Sequence, residues 1–230
     1  MIKEIPCVAI FSGGEGKRIR DSEILPKPFI DINGKPLVRR VSDQLLKLSS
    51  FPRLVLLTCS SNYNALQFIG DSFSGVHFSI CEESKMAGKL SAMKFFFDKY
   101  PDIDLCLFAN ADTLFLDQNA LCAAFNNINQ ISDSPCVFLA NPDKTRSDYK
   151  EVIFEINGKT FALQNSGVFV ASRNWTYESY HNAYRSKGLA LDDILFDTSS
   201  SDFVFVDSDI LDVGTPQRVK MARELIDDNY

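Results

Sequence analysis

The sequence predicts an α/β protein, a three-layer α/β/α sandwich in which helices cover both faces of a mixed, mainly parallel sheet. Short apolar runs alternate with segments of helical periodicity over the first 141 residues, and this alternation is typical of parallel sheets. The remaining residues are richer in strand patterns. With 230 residues, 45% of them hydrophobic, the chain can bury a substantial core. We therefore expect a single domain over residues 1–230, with halves at residues 1–141 and 142–230.

The first half is expected to contain five strands and three helices. Apolar runs predict strands at residues 6–11, 53–59, 76–82, 104–111 and 135–141. Apolar residues at helical spacing predict helices at residues 36–48, 87–100 and 118–128. Pro36 suits the first turn of its helix, because its φ is preset and an N–H group there has no partner within the helix.

The second half begins with a predicted hairpin at residues 150–164, whose two-residue turn is Asn157-Gly158. Further separate strands are predicted at residues 167–172 and 202–208. The last helix is expected to start near Pro216 with Thr215 as its N-cap.

Composition and charge exclude several classes of function. The net charge of −6 disfavours binding of the whole protein to nucleic acid or to an anionic membrane. The sequence has neither a run of roughly 18 apolar residues nor the pattern of a signal peptide. Six cysteines occur without CxxC spacing, so we expect reduced thiols and a cytoplasmic protein.

A glycine-rich, basic segment follows the first predicted strand. Its residues that could bind a phosphorylated ligand are Ser12, Gly13, Gly14, Gly16, Lys17 and Arg18. The spacing matches neither GxGxxG nor GxxxxGK[ST], which excludes the two commonest phosphate-binding loops. Two interpretations stay open from this segment alone. It is either a loop whose N–H groups and cations hold phosphates, or a glycine turn with solvated basic side chains.

Two further features belong to the same edge of the predicted sheet. Lys27 stands between Pro26 and Pro28, and both prolines restrict its backbone. Asp112 follows the fourth predicted strand. Since ligands of open α/β sheets bind beyond the carboxyl ends of the strands, we expect Asp112 and the glycine loop to meet there.

Taken together, these motifs resemble those of the sugar-1-phosphate nucleotidyltransferases. The segment "GGEGKRI", followed by "LPKPFIDINGKPL", is similar to the family's GGxGTRLxP and PKPLxPVxGKPL. "NADTLF" stands where the family has an aspartate motif after a strand. "LQNSGVFVAS" resembles NAGIYxF, and "LDVGTPQRV" resembles DIGTPEDL. The four motifs occur in the family's order, so the resemblance implies its nucleotide-diphospho-sugar transferase-like fold.

The resemblance also implies a reaction and a set of site residues. A sugar-1-phosphate would attack the α-phosphorus of an NTP to give an NDP-sugar and pyrophosphate, with the nucleotide in the first half and the acceptor in the second. Arg18 and Lys27 are the expected catalytic residues, and Asp112 and Asp212 the expected Mg²⁺ ligands. Besides the glycine segment, the expected nucleotide-binding residues are Glu83, Gly88 and Lys89. The expected acceptor-binding residues are Asn165, Gly167 and Lys159.

The sequence departs from the family pattern at Lys17, Asp21 and Lys89, where the family commonly has Thr, Pro, and Thr or Leu. The nucleobase and the acceptor therefore stay open. A cytidylyltransferase acting on a non-sugar phosphate such as phosphocholine is the main alternative. A GT-A glycosyltransferase and a non-catalytic nucleotide-binding protein are two others. No nucleic-acid or membrane partner is expected, and a homodimer is left open.

Overall fold

The computed structural model of the chain describes residues 5–13, 26–48, 53–59, 73, 78–83, 88–128, 134–141, 151–156, 159–185, 191–195 and 201–226. The strands are β1 (Cys7–Phe11), β2 (Asp31–Ile32), β3 (Lys35–Pro36), β4 (Arg53–Cys59), β5 (Phe78–Glu83), β6 (Leu105–Asn110), β7 (Thr113–Phe115), β8 (Cys136–Asn141), β9 (Glu151–Ile156), β10 (Lys159–Ser172) and β11 (Asp202–Asp212). The helices are α1 (Leu37–Leu46), α2 (Lys89–Lys99), α3 (Gln118–Asn126), α4 (Arg173–Arg185), α5 (Leu191–Leu195) and α6 (Pro216–Leu225).

Over the described residues, nine strands form one mixed sheet in the order β5-β4-β1-β6-β10-β8-β11-β7, with β9 beside β10. The strands β5, β4, β1 and β6 are parallel, as their alternation with helices predicts. Strand β10 is antiparallel to β6 and β8, and β11 is parallel to β8. A strand from the second half of the chain therefore lies between two strands from the first half.

Strand β10 differs from the sequence prediction, which placed a hairpin strand and a separate strand in this region. The structure has one strand of 14 residues. Its register against β8 shifts between Asn165 and Phe169, and Gly167 within this irregularity has a φ of +75°. A bulge lets a strand continue across a local break in its pairing, and glycine tolerates the positive φ.

The predicted hairpin joins β9 to β10. Lys159 pairs with Ile156, as a two-residue turn requires. The turn residues Asn157 and Gly158 lie outside the described residues.

Side chains that point alternately to the two faces of the sheet form a buried core on each face. In β1, Val8 and Ile10 belong to one buried cluster, whereas Cys7 and Ala9 belong to the other, because successive side chains of a strand point to opposite faces. The first cluster also contains residues of α1, α3 and α6. The second contains residues of α2, α4 and α5. The three-layer α/β/α arrangement predicted from the sequence is therefore confirmed.

The helices α4 and α5 were not predicted from the sequence. The buried face of α4 includes Trp175, Thr176 and Ser179. Because two of these three residues are polar, the segment does not show the apolar periodicity by which an amphipathic helix is recognised. Across the described ranges, no helix is long and apolar enough to cross a membrane.

All six cysteines are free thiols, as the absence of CxxC spacing predicts. Burial raises the pKa of Cys136 to about 12 and also raises the pKa of the fully buried Cys106. Both thiols are therefore protonated at neutral pH, and they serve as small apolar core residues.

Candidate active site

A cavity of about 230 Å³ lies at the carboxyl ends of β1 and β6. The two strands are parallel neighbours, with Phe11 opposite Asn110, so both end at the same edge of the sheet. The cavity is lined by Phe11, Gly13, Lys27, Pro28, Leu57, Thr58, Cys59, Gly88, Lys89, Ala92, Asn110, Ala111 and Asp112. The start of the glycine segment and Asp112 therefore meet at one edge, as expected for an open α/β sheet.

Lys27 is the first residue of a single 3-10 turn that borders the cavity. Pro26 precedes it with a φ of −56°, and Pro28 and Phe29 within the turn are buried. The N–H of Phe29 donates to the carbonyl oxygen of Pro26 at 2.8 Å. Since the two prolines fix φ and Phe29 packs in the core, the backbone that carries Lys27 has little freedom to move.

The Lys27 ammonium lies between two carboxylates. It donates a hydrogen bond to Oδ2 of Asp112 and lies 3.6 Å from Oδ1 of Asp212. Their side chains are mostly buried, with 13% of Lys27, 28% of Asp112 and 17% of Asp212 exposed. Three residues predicted from three separate sequence motifs are thus brought together.

Hydrogen bonds to the backbone carbonyl oxygens of the two aspartates, together with a strand pairing, hold these residues next to each other. The N–H of Val213 donates to the carbonyl oxygen of Asp112 at 2.8 Å. The Arg218 guanidinium donates to the carbonyl oxygen of Asp212 at 2.7 Å. Asp212 also pairs with Thr113, the residue after Asp112, in the antiparallel β7–β11 ladder. The positions of both carboxylates are therefore determined by the sheet rather than by a long loop.

The charge balance of the site keeps Asp112 ionised. Burial raises the pKa of Asp112, but the charge and hydrogen bond of Lys27, together with the more distant charge of Lys89, outweigh burial and lower it below its ordinary value. Asp112 is therefore a carboxylate across the physiological pH range. It can attract a cation or orient Lys27, but it cannot act as a general acid there.

The residues present fit a divalent cation whose coordination is completed by ligands from the substrate. Asp112 and Asp212 supply carboxylate oxygens around a position that already suits positive charge, because the Lys27 ammonium lies between them. Within the described ranges, no group of three or more His, Cys, Asp or Glu side chains could hold a metal ion. Mg²⁺ commonly binds through one or two carboxylates, with waters and substrate phosphates as its other ligands.

The β4 side of the cavity is narrow and mostly apolar. The backbone of Gly13 approaches Thr58 and Cys59 so closely that an added Cβ would lie 3.4 Å from the backbone nitrogen of Cys59. The ammonium of Lys89, in the first turn of α2, lies 5.8 Å from the centre of the Phe11 ring. Gly88 is the N-cap of this helix and has a φ of +94°, a backbone angle that residues with a side chain rarely adopt.

Ser12 directly follows β1 and is hydrogen-bonded to β4. It is fully buried, and its hydroxyl donates to the carbonyl oxygen of Leu57 at 3.0 Å. Its N–H donates to the same oxygen at 2.7 Å. Ser12 thus anchors the start of the glycine segment to β4, and its role in nucleotide binding stays a prediction.

Of the acceptor-binding residues predicted in β10, Gly167 lies next to Asn110, a cavity residue at the end of β6. Oδ1 of Asn165 accepts a hydrogen bond from the N–H of Gly167 at 2.8 Å. The space that a Gly167 side chain would fill is taken by Asn110, whose Cγ would lie 2.8 Å from an added Cβ. Glycine at position 167 therefore makes room for another side chain of the protein, and the contact of Gly167 with an acceptor stays a prediction.

For several predicted site residues, either the whole residue or its side chain lies outside the part of the chain that the structure describes. Gly14, Gly16, Lys17 and Arg18 lie outside the described residues. Glu83 ends β5, where it pairs with Cys59, and Lys159 begins β10, but their side chains lie outside the described part of the structure. Their assigned roles stay predictions.

Sequence reasoning missed Asn110, Phe11 and Cys59 as cavity residues. Phe11 and Asn110 are the last residues of adjacent parallel strands, and Cys59 is the last residue of the next one. The position at the carboxyl end of a predicted strand was the available signal. It was not used for these three residues because none of them belongs to a charged or glycine-rich motif.

The family of the chain follows from a comparison with known protein families. The MobA-like NTP transferase domain matches residues 8–184, more than half of the chain and all of the described cavity lining. The chain belongs to this family. The protein is therefore a nucleotidyltransferase, and its cavity at the β1–β6 edge is the place where that family's NTP chemistry is to be sought. No curated protein sequence matches the chain.

Solved structures of similar fold support the α/β architecture. The inositol-1-phosphate CTP transferase from T. maritima has a TM-score of 0.75 and 17% identity, with 98% of each chain covered. HddC from Yersinia pseudotuberculosis has a TM-score of 0.71 and 20% identity, with 96% of this chain and 99% of HddC covered. A candidate glucose-1-phosphate thymidylyltransferase from Bacillus anthracis has a TM-score of 0.74 and 17% identity, with 96% of each chain covered.

Proposed function

We propose that this MobA-like nucleotidyltransferase condenses an NTP with a sugar-1-phosphate in a Mg²⁺-dependent reaction that gives an NDP-sugar and pyrophosphate. The observation that carries the proposal is the Lys27 ammonium held between Asp112 and Asp212 at the edge of the cavity. Nucleotidyl transfer needs accurate positioning and neutralisation of phosphate charge rather than a covalent intermediate. A rigid lysine flanked by two carboxylates provides both.

In this reaction an oxygen of the acceptor phosphate attacks the α-phosphorus of the NTP. The bond between the α-phosphorus and the bridging oxygen breaks, and the electron pair leaves with pyrophosphate. Lys27 stabilises the charge that develops around the α-phosphate, since its ammonium is already fixed at the cavity. The acceptor phosphate is ionised at neutral pH, so the reaction requires no general base.

Asp112 and Asp212 are the residues that would hold Mg²⁺. When bound, the cation supplies charge neutralisation for the phosphates. Asp112, directly before β7, and Asp212, at the end of β11, would hold it from neighbouring positions, because the pairing of these strands brings Asp212 opposite Thr113. The lowered pKa of Asp112 keeps this carboxylate available as a ligand at neutral pH.

The nucleotide is expected to lie on the β1 and β4 side of the cavity. Gly88 leaves open space beside its backbone, since nothing lies within 4 Å of an added Cβ there. Gly14, Gly16, Lys17 and Arg18 follow Gly13 directly in the sequence, which supports a role for them at the β- and γ-phosphates. This orientation leaves the β10 side, with Asn165 and Gly167, for the acceptor.

A second candidate is nucleotidyl transfer to a phosphate that is not on a sugar. The observation that favours it is the similarity of fold to a protein named as an inositol-1-phosphate CTP transferase. The two candidates share Lys27, Asp112 and Asp212 and differ only in the acceptor.

The test is a pyrophosphate-release assay with the four common NTPs, run against a panel of sugar-1-phosphates, inositol-1-phosphate and phosphocholine. We expect release with one NTP and one sugar-1-phosphate, abolished by EDTA and restored by Mg²⁺. Release with inositol-1-phosphate or phosphocholine alone would support the second candidate instead. Absence of release with every pair would contradict both.

A further inference from the structure

Asn110 is a cavity residue to which neither the sequence motifs nor the family assignment gives a role. It is the last residue of β6, two positions before Asp112, and its side chain lines the cavity together with Lys27 and Asp112. No hydrogen bond joins its carboxamide to any residue that the structure describes. A carboxamide carries two N–H donors and an acceptor oxygen, so this one has its bonding capacity available to a ligand.

The fold reserves space for this side chain. Gly167, on the neighbouring strand β10, has a φ of +75°, and an added Cβ would lie 2.8 Å from Cγ and 3.1 Å from Cβ of Asn110. Real Cβ atoms do not approach other atoms to within 3.0 Å. Oδ1 of Asn165 in turn accepts from the N–H of Gly167, which holds the backbone in this conformation. The glycine therefore determines where the Asn110 carboxamide lies.

The position of Asn110 in the sheet indicates which substrate it would meet. The strands near the cavity follow the order β4-β1-β6-β10. The NTP is assigned to the β4 and β1 side and the acceptor to the β10 side, so β6 lies at the boundary between them. Lys27 and Asp112 lie at the same boundary. The group of the acceptor that must reach this boundary is its phosphate, because that group attacks the α-phosphorus.

We propose that the Asn110 carboxamide, positioned by Gly167, donates a hydrogen bond to a non-attacking oxygen of the acceptor phosphate and thereby orients the attack. The inference rests on the proposed function for the identity of the acceptor. A neutral donor suits this place, since a further carboxylate beside Asp112 would repel a phosphate and a further cation would pair with Asp112. Asn110 forms and breaks no covalent bond, and it transfers no proton.

The first experiment compares steady-state kinetics of Asn110→Ala, Asn110→Ser and Asn110→Asp with those of the unsubstituted protein. We expect Asn110→Ala to raise KM for the acceptor about tenfold, as expected for the loss of a hydrogen bond to a charged group, while KM for the NTP changes less than about threefold. Asn110→Ser keeps a hydrogen-bond donor, so its KM for the acceptor should lie between the values of the unsubstituted protein and of Asn110→Ala. Asn110→Asp should raise the acceptor KM further. Asn174→Ala, which removes an exposed amide on α4, is the matched control.

A double-mutant cycle between positions 110 and 167 separates the proposed role from a loss of stability. Gly167→Ala should raise the acceptor KM because the new Cβ displaces Asn110. In the Asn110→Gly background, which removes all three atoms that the Cβ would meet, Gly167→Ala should leave the acceptor KM unchanged. The melting temperature should fall in both backgrounds, since alanine is strained at a positive φ. Equal effects of Gly167→Ala on KM in both backgrounds would overturn the positioning role.

Two further outcomes decide the proposal, and the second of them does not depend on the proposed function. An acceptor KM within twofold of the unsubstituted value in Asn110→Ala, or a larger change in KM for the NTP, would overturn it. If no acceptor supports pyrophosphate release, the proposed function fails, and the probe becomes inorganic phosphate, measured by isothermal titration calorimetry. Weaker phosphate binding by Asn110→Ala than by Asn174→Ala would support the contact, and equal binding would overturn it.

Discussion

At the scale of single residues, the proposed function depends on one lysine and two aspartates that come from distant parts of the sequence. Lys27 and Asp112 are 85 positions apart, and Asp212 is a further 100 positions along the chain. Their proximity follows from the adjacency of β1 and β6 and from the pairing of β7 with β11. A charged cluster of this kind is costly to bury unless its charges are paired, and here one ammonium is shared by two carboxylates.

Removal of Lys27 or Asp112 should disable the reaction with little change in the fold. We expect Lys27→Ala and Asp112→Ala each to lower kcat by about 10²-fold or more, as the loss of transition-state electrostatics does. The measurement is steady-state pyrophosphate release with saturating substrates. Lys220→Ala is the control, because Lys220 is 79% exposed and pairs only across the surface with Glu224. Normal turnover of Asp112→Ala with Mg²⁺ would contradict the assignment of Asp112.

The pKa of Asp112 should rise when Lys27 is replaced by methionine. Burial raises this pKa, and the charge of Lys27 is the largest influence that lowers it. In the unsubstituted protein the stability linked to Asp112 is present above its unfolded pKa of about 3.9 and is lost as the pH falls through the lower folded pKa. A carbon-13 NMR titration of the Asp112 carboxyl measures the shift. Equal titration curves for the Lys27→Met and Lys220→Met proteins would contradict the coupling.

The sequence was informative about charged residues and less so about neutral ones. Lys27, Asp112 and Asp212 were predicted because prolines, a strand end and a Gly-Thr-Pro segment mark them. Asn110 was missed because its role depends on a cavity and on a glycine 57 positions away in the sequence. The bond from the Ser12 hydroxyl to β4 was also not predicted, because no local sequence signal specifies a contact with a residue 45 positions away.

At the scale of elements, the helix caps give a direct comparison between two otherwise similar helices. Asp117 caps α3, and its carboxylate accepts hydrogen bonds from the N–H groups of Asn119 and Ala120. Thr215 occupies the same position before α6 but makes no side-chain hydrogen bond to that helix. The first cap satisfies two otherwise unbonded donors, and the second satisfies none by its side chain.

Asp117→Ala should therefore destabilise the protein more than Thr215→Ala does. We expect a loss of about 1 kcal/mol in the free energy of unfolding for Asp117→Ala and a loss of less than about 0.5 kcal/mol for Thr215→Ala. Urea denaturation of both variants is the measurement. Losses of equal size would show that the cap hydrogen bonds of Asp117 contribute little.

Most elements with apolar periodicity were predicted from the sequence, and the exceptions have physical reasons. Helix α4 buries polar residues such as Thr176, so its pattern does not resemble an apolar stripe. The short hairpin of β2 and β3 turns at Asn33 and Gly34, whose φ angles are +49° and +78°. This Asn-Gly pair is a hairpin signal that the sequence does contain, yet the strands that flank it are only two residues long.

At the scale of the whole molecule, an aromatic cluster lies on the same face of the sheet as α2 and α4. Phe108 is fully buried and stacks with Phe11 at 5.8 Å and Phe169 at 5.5 Å between ring centroids. Phe96 and Phe97 of α2 meet it edge-on. Because Phe11 also lines the cavity, this aromatic cluster belongs to the core and also forms part of the cavity lining.

Truncation of Phe108 should destabilise the whole domain. We expect Phe108→Ala to cost about 3–5 kcal/mol in the free energy of unfolding. Phe95→Ala, at a position that is 37% exposed, is the control and should cost less than about 1 kcal/mol. Urea denaturation followed by circular dichroism measures both. A cost for Phe108→Ala as small as that of the control would contradict its place in the core.

The overall architecture could be predicted because strand–helix alternation determines a parallel sheet and its handed connections. The position of β10 between β6 and β8 could not be predicted, since it depends on long-range pairing of an antiparallel strand that no local pattern specifies. That insertion brings Gly167 next to Asn110, on the side of the site that we propose for the acceptor.

The measurement that tests the central claim most directly follows the α-phosphorus. An NTP labelled with phosphorus-32 at the α-position is incubated with Mg²⁺ and the panel of sugar-1-phosphates, and the products are separated. The account predicts that the label appears in a sugar nucleotide while unlabelled pyrophosphate is released, and that neither forms with the Lys27→Ala protein. Label that stays in the NTP with every acceptor phosphate, or a sugar nucleotide formed equally well by Lys27→Ala, would contradict it.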